Sequence, residues 1–522
     1  MQQIRPGVRV HLVGIGGIGL SAIARVLHGR GHWVSGSDLR PSALTAALAA
    51  EGITVYAGHR RENLMGSDSA SDRSDPVVII SSAVPEGNPE VVEARALGLT
   101  VLRRQDILGE LTAASRTVAV AGTHGKTTTT AMIAWILTEA GMDPSFIVGG
   151  VLQNLATNGR AGTGKHFVIE ADEYDRAFWG LHPDMAVVTT LEHDHPDCYP
   201  TFAEMRDAYA SFAERVVSGG LLMACRDDEG ARRLAHELEQ RWGVEGSPRE
   251  RRRVMTYGTV PDADWQAVNI ELEGSPTFDV RRPDELLGRC ALQLPGKHNV
   301  LNALAALVCS AELGVEFDTA AGALTRFRGT ERRFEVKGQA AGVTIVDDYA
   351  HHPTEIEATL SAARTRFPGQ TIWAVFQPHT YSRTAALLEG FAAAFGDADH
   401  VLVTRIYAAR ERNTLGVSGG DLVDRMISTG AGYRPGGSAN NGTERRPDVQ
   451  YVESLEGTVA KLTERVRSGD VIITLGAGDG YLVGERMLLK LKARHPGDPS
   501  GLDRSSSERP FGRWGATSPW PN

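Results

Sequence analysis

The chain has 522 residues, 42% hydrophobic and 23% charged, an ordinary globular composition that excludes wholesale disorder. Its 55 basic and 64 acidic residues give a net charge of −9, which argues against a dedicated nucleic-acid or membrane-surface binder. Four cysteines without a C-x-x-C pair exclude a disulfide scaffold or zinc ribbon. No apolar run reaches the ~18 residues of a membrane helix and the start of the chain shows no secretion signal, so a soluble cytoplasmic protein is expected.

In chain order, residues 9–13 read as a strand, followed by the glycine turn Gly14-Ile15-Gly16-Gly17-Ile18-Gly19. A helix follows, with Ala22, Ile23, Val26 and Leu27 on one face. A second strand ends at Asp38, and a third, Val77–Ile80, leads into Ser81. A second block opens with a strand at 117–121, then Gly122-Thr123-His124-Gly125-Lys126-Thr127-Thr128 and a helix to about residue 140. Strands at 167–170 and 186–190 follow. A third block holds strand candidates at 343–348, 371–377, 401–404 and 471–475. Alternating strands and helices predict parallel sheets.

The fold expected is α/β with three domains: 1–112, 113–330 and 331–494. Loops are expected at 66–76, 243–253 and 429–448, with the basic run at 248–253 a solvated loop. Residues 495–522, rich in Gly, Pro and Ser, read as a disordered tail.

Gly122 to Thr128 is the strongest chemical signal. Backbone N–H groups of a glycine turn at a helix N-terminus converge on an anion. Lys126 adds a mobile cation for phosphates, and Thr127 a hydroxyl for Mg²⁺. The strict phosphate-loop pattern fails, because its first glycine falls on Val120. The turn at 14–19 is a G-x-G-x-x-G with Asp38 nineteen residues beyond Gly19, a spacing that by itself suggests a dinucleotide. It supports a diphosphate ligand without choosing one. An NAD-dependent dehydrogenase and a phosphate-loop sensor are therefore both open readings at this point.

Acids and histidines stand at strand ends, where ligands of parallel sheets bind. Glu170 with Thr127 suits Mg²⁺, which prefers oxygen. For His195 the residue chemistry leaves metal binding and a structural hydrogen bond equally open. After third-block strands come Asp347-Asp348-Tyr349-Ala350-His351-His352-Pro353 and Gln377-Pro378-His379-Thr380-Tyr381-Ser382-Arg383. Arg383 could grip a carboxylate with two parallel hydrogen bonds.

Taken together, G-I-G-G-I-G-L-S-A-I-A at 14–24, G-T-H-G-K-T-T-T-T at 122–130, E-A-D-E at 170–173, P-G-K-H-N-V-L-N-A at 295–303, E-R-R-F-E-V-K-G at 331–338, D-D-Y-A-H-H-P-T-E-I at 347–356 and F-Q-P-H-T-Y-S-R-T at 376–384 resemble the Mur ligases. The order and spacing hold from about residue 5 to 490.

The resemblance implies a Rossmann-like UDP-binding domain, a central P-loop ATPase-type domain and a C-terminal Rossmann-like domain that binds the amino acid. It implies ATP-dependent joining of L-alanine to the carboxylate of UDP-N-acetylmuramate through an acyl phosphate, with Mg²⁺, in peptidoglycan precursor synthesis. A tripeptide-recycling relative acting on the same sugar nucleotide is the alternative. By the family's pattern Gly122, Thr123, His124, Gly125, Lys126, Thr127 and Thr128 hold ATP, with Asn299 and Asn302 facing adenine. Thr127, Glu170 and His195 serve the metal, and Arg333 the transferring phosphate. Gly14, Gly16, Gly17, Ile18, Gly19, Ser37 and Ser81 take the sugar nucleotide. Tyr349, His351, His352 and Arg383 line the amino-acid site, with His351 or His352 the candidate base. Two departures stand out. Thr190-Leu191-Glu192 lacks the asparagine usual there, and no lysine lies between 196 and 224 to supply the carboxylated lysine of several sister enzymes.

Overall fold

The computed structural model describes residues 7–65, 75–243, 247, 250–429 and 447–494. The expected tail at 495–522 lies outside these residues, as do most of the loops expected at 66–76 and 429–448 and part of 243–253. Among the described residues no helix is long and apolar enough to cross a membrane.

The chain forms three sheets. The first holds β1 (Arg9–Val13), β2 (Trp33–Asp38), β3 (Thr54–Ala57), β4 (Val77–Ile80) and β5 (Val101–Arg103), all parallel, in the order β3-β2-β1-β4-β5. The strand order reverses between β1 and β4, so the turn at 14–19 and Ser81 flank one crevice at the carboxyl ends of the strands.

The second sheet has ten strands: β6 (Arg116–Ala121), β7 (Ser145–Leu152), β8 (Thr157–Arg160), β9 (His166–Glu170), β10 (Met185–Val188), β11 (Leu221–Cys225), β12 (Arg253–Gly258), β13 (Trp265–Glu271), β14 (Thr277–Arg282) and β15 (Glu285–Ala291). Their order is β15-β14-β13-β12-β11-β10-β6-β9-β7-β8. The β13–β15 meander and the β7–β8 pair are antiparallel, so this sheet is mixed. The third comprises β16 (Glu335–Ala340), β17 (Val343–Asp348), β18 (Ile372–Phe376), β19 (His400–Val403), β20 (Asp448–Tyr451) and β21 (Val471–Leu475), ordered β16-β17-β21-β18-β19-β20, with β16 antiparallel to β17.

Sequence periodicity gave the helix after the first glycine turn one apolar face. In the structure it spans Ile18–Gly29, and every residue from Leu20 to Leu27 is buried. The reason is a second partner. One apolar cluster runs from Val10 and Ile23 in the first domain to Phe167 and Tyr209 in the second. Arg25 is buried with this helix and is bonded to Asn158 of β8 and to Glu51. Asn158 in turn donates to the Ile18 carbonyl at 2.7 Å. First and second domains thus share a core.

The helix Lys126–Glu139 is also buried along its length, beneath the helix Lys297–Glu312. It opens with four threonines, β-branched residues of modest helix propensity. Their hydroxyls find partners: Thr130 donates to the Lys126 carbonyl at 2.8 Å and Thr129 to Asn302 at 3.2 Å.

Candidate active site

β6 delivers the chain into the turn 122–125, and Gly125 caps the following helix with φ 81°, a left-handed value that favours glycine. A Cβ there would stand 2.5 Å from the Asn302 amide oxygen, so glycine is also needed for space. Lys126 curls back over this turn. Its Nζ donates to the Gly122 carbonyl, to the Thr123 carbonyl at 3.1 Å and to Glu173 Oε1 at 2.8 Å. His124 N donates to the Thr190 hydroxyl at 2.8 Å, and the Thr123 and Glu192 backbones are tied through the Thr123 hydroxyl.

Acids from the end of β9 surround this cation. Thr127 Oγ1 donates to Glu170 Oε1 at 3.1 Å, and Gly149 N to Glu170 Oε2 at 2.7 Å. Burial pushes the Glu170 carboxyl up, with Lys126 opposing. Glu173 is 1% exposed, and its Oε2 has no hydrogen-bond partner. His195 Nε2 lies 3.6 Å from Glu173 Oε1. Burial by itself lowers the His195 imidazole, but the charges of Asp194 and Glu173 overcome it and raise it. Thr127 is thus paired with Glu170, and His195 with Glu173, oxygen-bearing pairs of a kind that suits a hard divalent cation, whereas among the described residues the ligand atoms that lie together within 4.8 Å are those of His124, Glu192 and His352.

The opposite wall belongs to the third domain. A cavity between the two domains is lined by His124, Thr127, Asn299, Asn302, Arg333 and Glu355, with Tyr257 and Leu294 as apolar surface. Asn302 donates to Asn299 Oδ1 at 3.3 Å, and Asn299 to the Pro295 carbonyl at 2.7 Å. Arg333 Nη1 is 3.6 Å from Glu355 Oε1. The same oxygen is 3.2 Å from His124 Nδ1. Burial lowers the His124 imidazole, but Glu192 and Glu355 prevail and push it up to about 9.

Four residues expected to meet an amino acid are brought near one another. Arg333 lies over the Tyr349 ring at 5.1 Å, and the Tyr349 and His351 rings are 5.2 Å apart. His351 Nδ1 is 3.0 Å from the Tyr349 carbonyl, and burial pushes this imidazole down to about 3. His352 caps the helix Pro353–Arg366, accepting from Thr354 N at 3.3 Å. Arg383 is 4% exposed and already paired: Nε donates to Asp194 Oδ1 at 2.8 Å and Nη1 to the His379 carbonyl at 3.1 Å. Its Nη2 lies 3.3 Å from His195 Nδ1. The guanidinium therefore joins the third domain to the histidine corner of the second.

In the first domain, Gly14 N and Ile15 N donate to the Ser37 carbonyl at 2.8 and 3.0 Å, and Gly16 N to Asp38 Oδ2 at 2.9 Å. The Ser37 hydroxyl faces inward, bonded to the fully buried Glu90 and to His59. The Ser81 hydroxyl accepts from Ala83 N at 3.2 Å, and Ile18 is 37% exposed at the head of its helix. The turn lies open at Gly17: a Cβ there would meet only the Gly14 carbonyl, at 3.4 Å.

Sequence reasoning did not single out Glu173, Asp194 or Glu355 for a role. Glu173 stands inside E-A-D-E, three residues after Glu170, and Glu355 inside H-H-P-T-E-I. The spacing of each was visible; its partner was not, because Lys126–Glu173 and His124–Glu355 join segments far apart in the chain.

The chain matches known protein families along most of its length. Residues 9–116 match the Mur ligase family, catalytic domain; residues 120–310 match the Mur ligase middle domain; residues 332–478 match the Mur ligase, glutamate ligase domain. The UDP-N-acetylmuramate–L-alanine ligase of Geobacter sp. (strain M21) is 42% identical over 486 residues, covering 93% of this chain and 98% of the relative. That of Salinibacter ruber is 43% identical over 479 residues, covering 91% and 94%. Among solved structures, a UDP-N-acetylmuramate–alanine ligase from Thermotoga maritima superimposes with a TM-score of 0.74 at 28% identity, over 93% of this chain and 99% of that one. A murein peptide ligase from Psychrobacter arcticus gives 0.67 at 26% identity, over the same shares.

Proposed function

The chain belongs to the Mur ligase family, and on that premise we propose that it joins L-alanine to the carboxylate of UDP-N-acetylmuramate at the expense of ATP, in peptidoglycan precursor synthesis. The observation that carries the reading is the shared cavity. His124, Gly125, Thr127 and Thr128 of the phosphate loop face Arg333, Asp348 and Glu355 of another domain across it. A dehydrogenase or a phosphate sensor has no use for such a wall.

A carboxylate is a poor acylating agent, because its leaving group would be oxide. Phosphorylation by ATP turns that oxygen into a leaving phosphate, and the amine of alanine then displaces it. The protein's part is positioning and charge. Lys126 and Arg333 approach the phosphates from opposite walls and offset the repulsion between carboxylate and triphosphate. Asn299 and Asn302 lie behind the loop, where the nucleotide base is held. Mg²⁺, held by Thr127, Glu170 and His195, would add positive charge at the transferring phosphate. Closure of the third domain excludes water that would otherwise hydrolyse the acyl phosphate.

Tyr349, His351, His352 and Arg383 form the amine side. With Nδ1 of His351 donating to the Tyr349 carbonyl, Nε2 carries the lone pair and can accept from the incoming amine. The turn 14–19 takes the diphosphate of the sugar nucleotide, with Ser81 at its edge. The domain limits at 112 and 330 divide these tasks. The enzyme works in the cytoplasm, where its nucleotide substrates are found.

The test is phosphate release from ATP with UDP-N-acetylmuramate, comparing L-alanine, glycine, L-serine and a murein tripeptide. Release that depends on L-alanine is expected. Release with the tripeptide alone would make the protein a recycling ligase, and release with none would end the proposal.

A further inference from the structure

The loop between β19 and the helix Gly419–Thr429 carries Arg410 out of the third domain toward the first. Arg410 Nη1 donates to the Ser82 carbonyl at 2.9 Å. Among the described residues this is the only hydrogen bond between the first and third domains. Ser82 follows Ser81, whose Cβ would lie 3.3 Å from a Cβ placed on Gly14, so the two serines form a wall of the glycine turn.

The same guanidinium stands 5.6 Å from the centre of the Tyr174 ring in the second domain. Tyr174 packs edge-on against His195 at 5.1 Å, and its hydroxyl donates to Asp197 at 2.9 Å. One arginine therefore touches all three domains, between the turn that takes a diphosphate and the corner that holds Lys126.

Its charge is not neutralised. Arg410 is exposed, and among the described residues no carboxylate lies within ion-pair distance of it. Asp197, the acid on the far side of the Tyr174 ring, takes the Tyr174 hydroxyl. The arm that presents it is tied down. Glu411 accepts from the Thr380 hydroxyl at 2.7 Å and from Ser382 N at 2.9 Å, and Tyr407 N donates to the Pro378 carbonyl at 2.8 Å. A guanidinium offers five N–H donors in a planar fork suited to phosphate oxygens, and the Ser82 contact uses one nitrogen.

We propose that Arg410 is a substrate-binding residue that takes the diphosphate of the sugar nucleotide from the third-domain side, closing that domain over the substrate held by the first. This rests on the reading of 14–19 as the sugar-nucleotide turn.

The experiment compares the parent with Arg410→Ala and Arg410→Lys, measuring KM for each of the three substrates and the Kd of UDP and of UDP-N-acetylmuramate by calorimetry. Loss of a charge-assisted contact predicts a roughly 10- to 150-fold rise in the sugar-nucleotide KM for Arg410→Ala. UDP should weaken by a similar factor, the KM for ATP and for alanine should stay near the parent's, and Arg410→Lys should recover part of the loss. A sugar-nucleotide KM equal to the parent's would overturn the proposal. So would a joint rise of all three KM values without rescue by lysine, which would mark a merely structural arm. Weakening of UDP-N-acetylmuramate with UDP unaffected would also overturn it, since the contact would then be to the sugar's carboxylate. A parent enzyme that binds neither ligand would defeat the sugar-nucleotide reading itself.

Discussion

Lys126 and Glu173 form a buried ion pair, Nζ to Oε1 at 2.8 Å, beneath the turn that faces the interdomain cavity. Burial lowers the ammonium, but Glu173 and Glu170 outweigh it and hold Lys126 charged. The phosphate-loop cation is thus stored on its own domain's acid.

Lys126→Ala removes that cation from the second-domain wall. Turnover should fall by ~10² or more, the usual cost of losing charge stabilisation at a reacting centre. The circular dichroism spectrum should match the parent's, because Lys126 opens its helix without supporting it. Near-parent turnover with a parent-like spectrum would refute the role.

Glu170→Ala and His195→Ala should each raise the magnesium concentration needed for half-maximal rate. Glu170 accepts from the Thr127 hydroxyl, and His195 lies beside Glu173, the acid that holds Lys126. Magnesium titrations of both variants that overlay the parent's would move the metal elsewhere.

Arg383→Lys keeps a cation beside Asp194 but loses the fork that also reaches His379. The alanine KM should rise roughly 10- to 150-fold, the range for one lost charge-assisted hydrogen bond. The acyl phosphate forms before alanine is needed, so trapping it with hydroxylamine should give hydroxamate near the parent's level. Hydroxamate lost while the alanine KM is unchanged would assign Arg383 to phosphoryl transfer.

His124 makes the contact between the second and third domains pH-dependent. Its imidazole is pushed up to about 9 in the folded protein by Glu192 and Glu355, against burial. A raised value means that the protonated ring stabilises the fold fully below its unfolded value near 6.5, and that this is lost as pH rises through about 9. The contribution is at most ~3 kcal/mol. The melting temperature of the parent should exceed that of His124→Gln below pH ~6.5, and the two should converge above pH ~9. A constant difference across that window would show that the ring is held by packing alone.

Local sequence was enough to mark the two anion-binding turns. Glycines at 14–19 and 122–125, followed by apolar helices, can only be tight strand-to-helix turns, and local chain geometry alone makes such turns anion sites. Strands β1, β4, β17 and β21 were legible to within a residue, because short apolar runs bounded by turn residues carry their own signal. The β13–β15 meander was not read from the sequence, although its strands alternate and its pairings are local, Glu271 with Thr277 and Arg282 with Glu285. The tertiary structure alone decided the pairings: Arg25 with Asn158, His124 with Glu355, Arg383 with Asp194 and Arg410 with Ser82. Each joins two domains. An arginine in a sequence shows that a charge exists, but the carboxylate or carbonyl that meets it is chosen by how the sheets stack, and that is settled by apolar burial elsewhere in the chain.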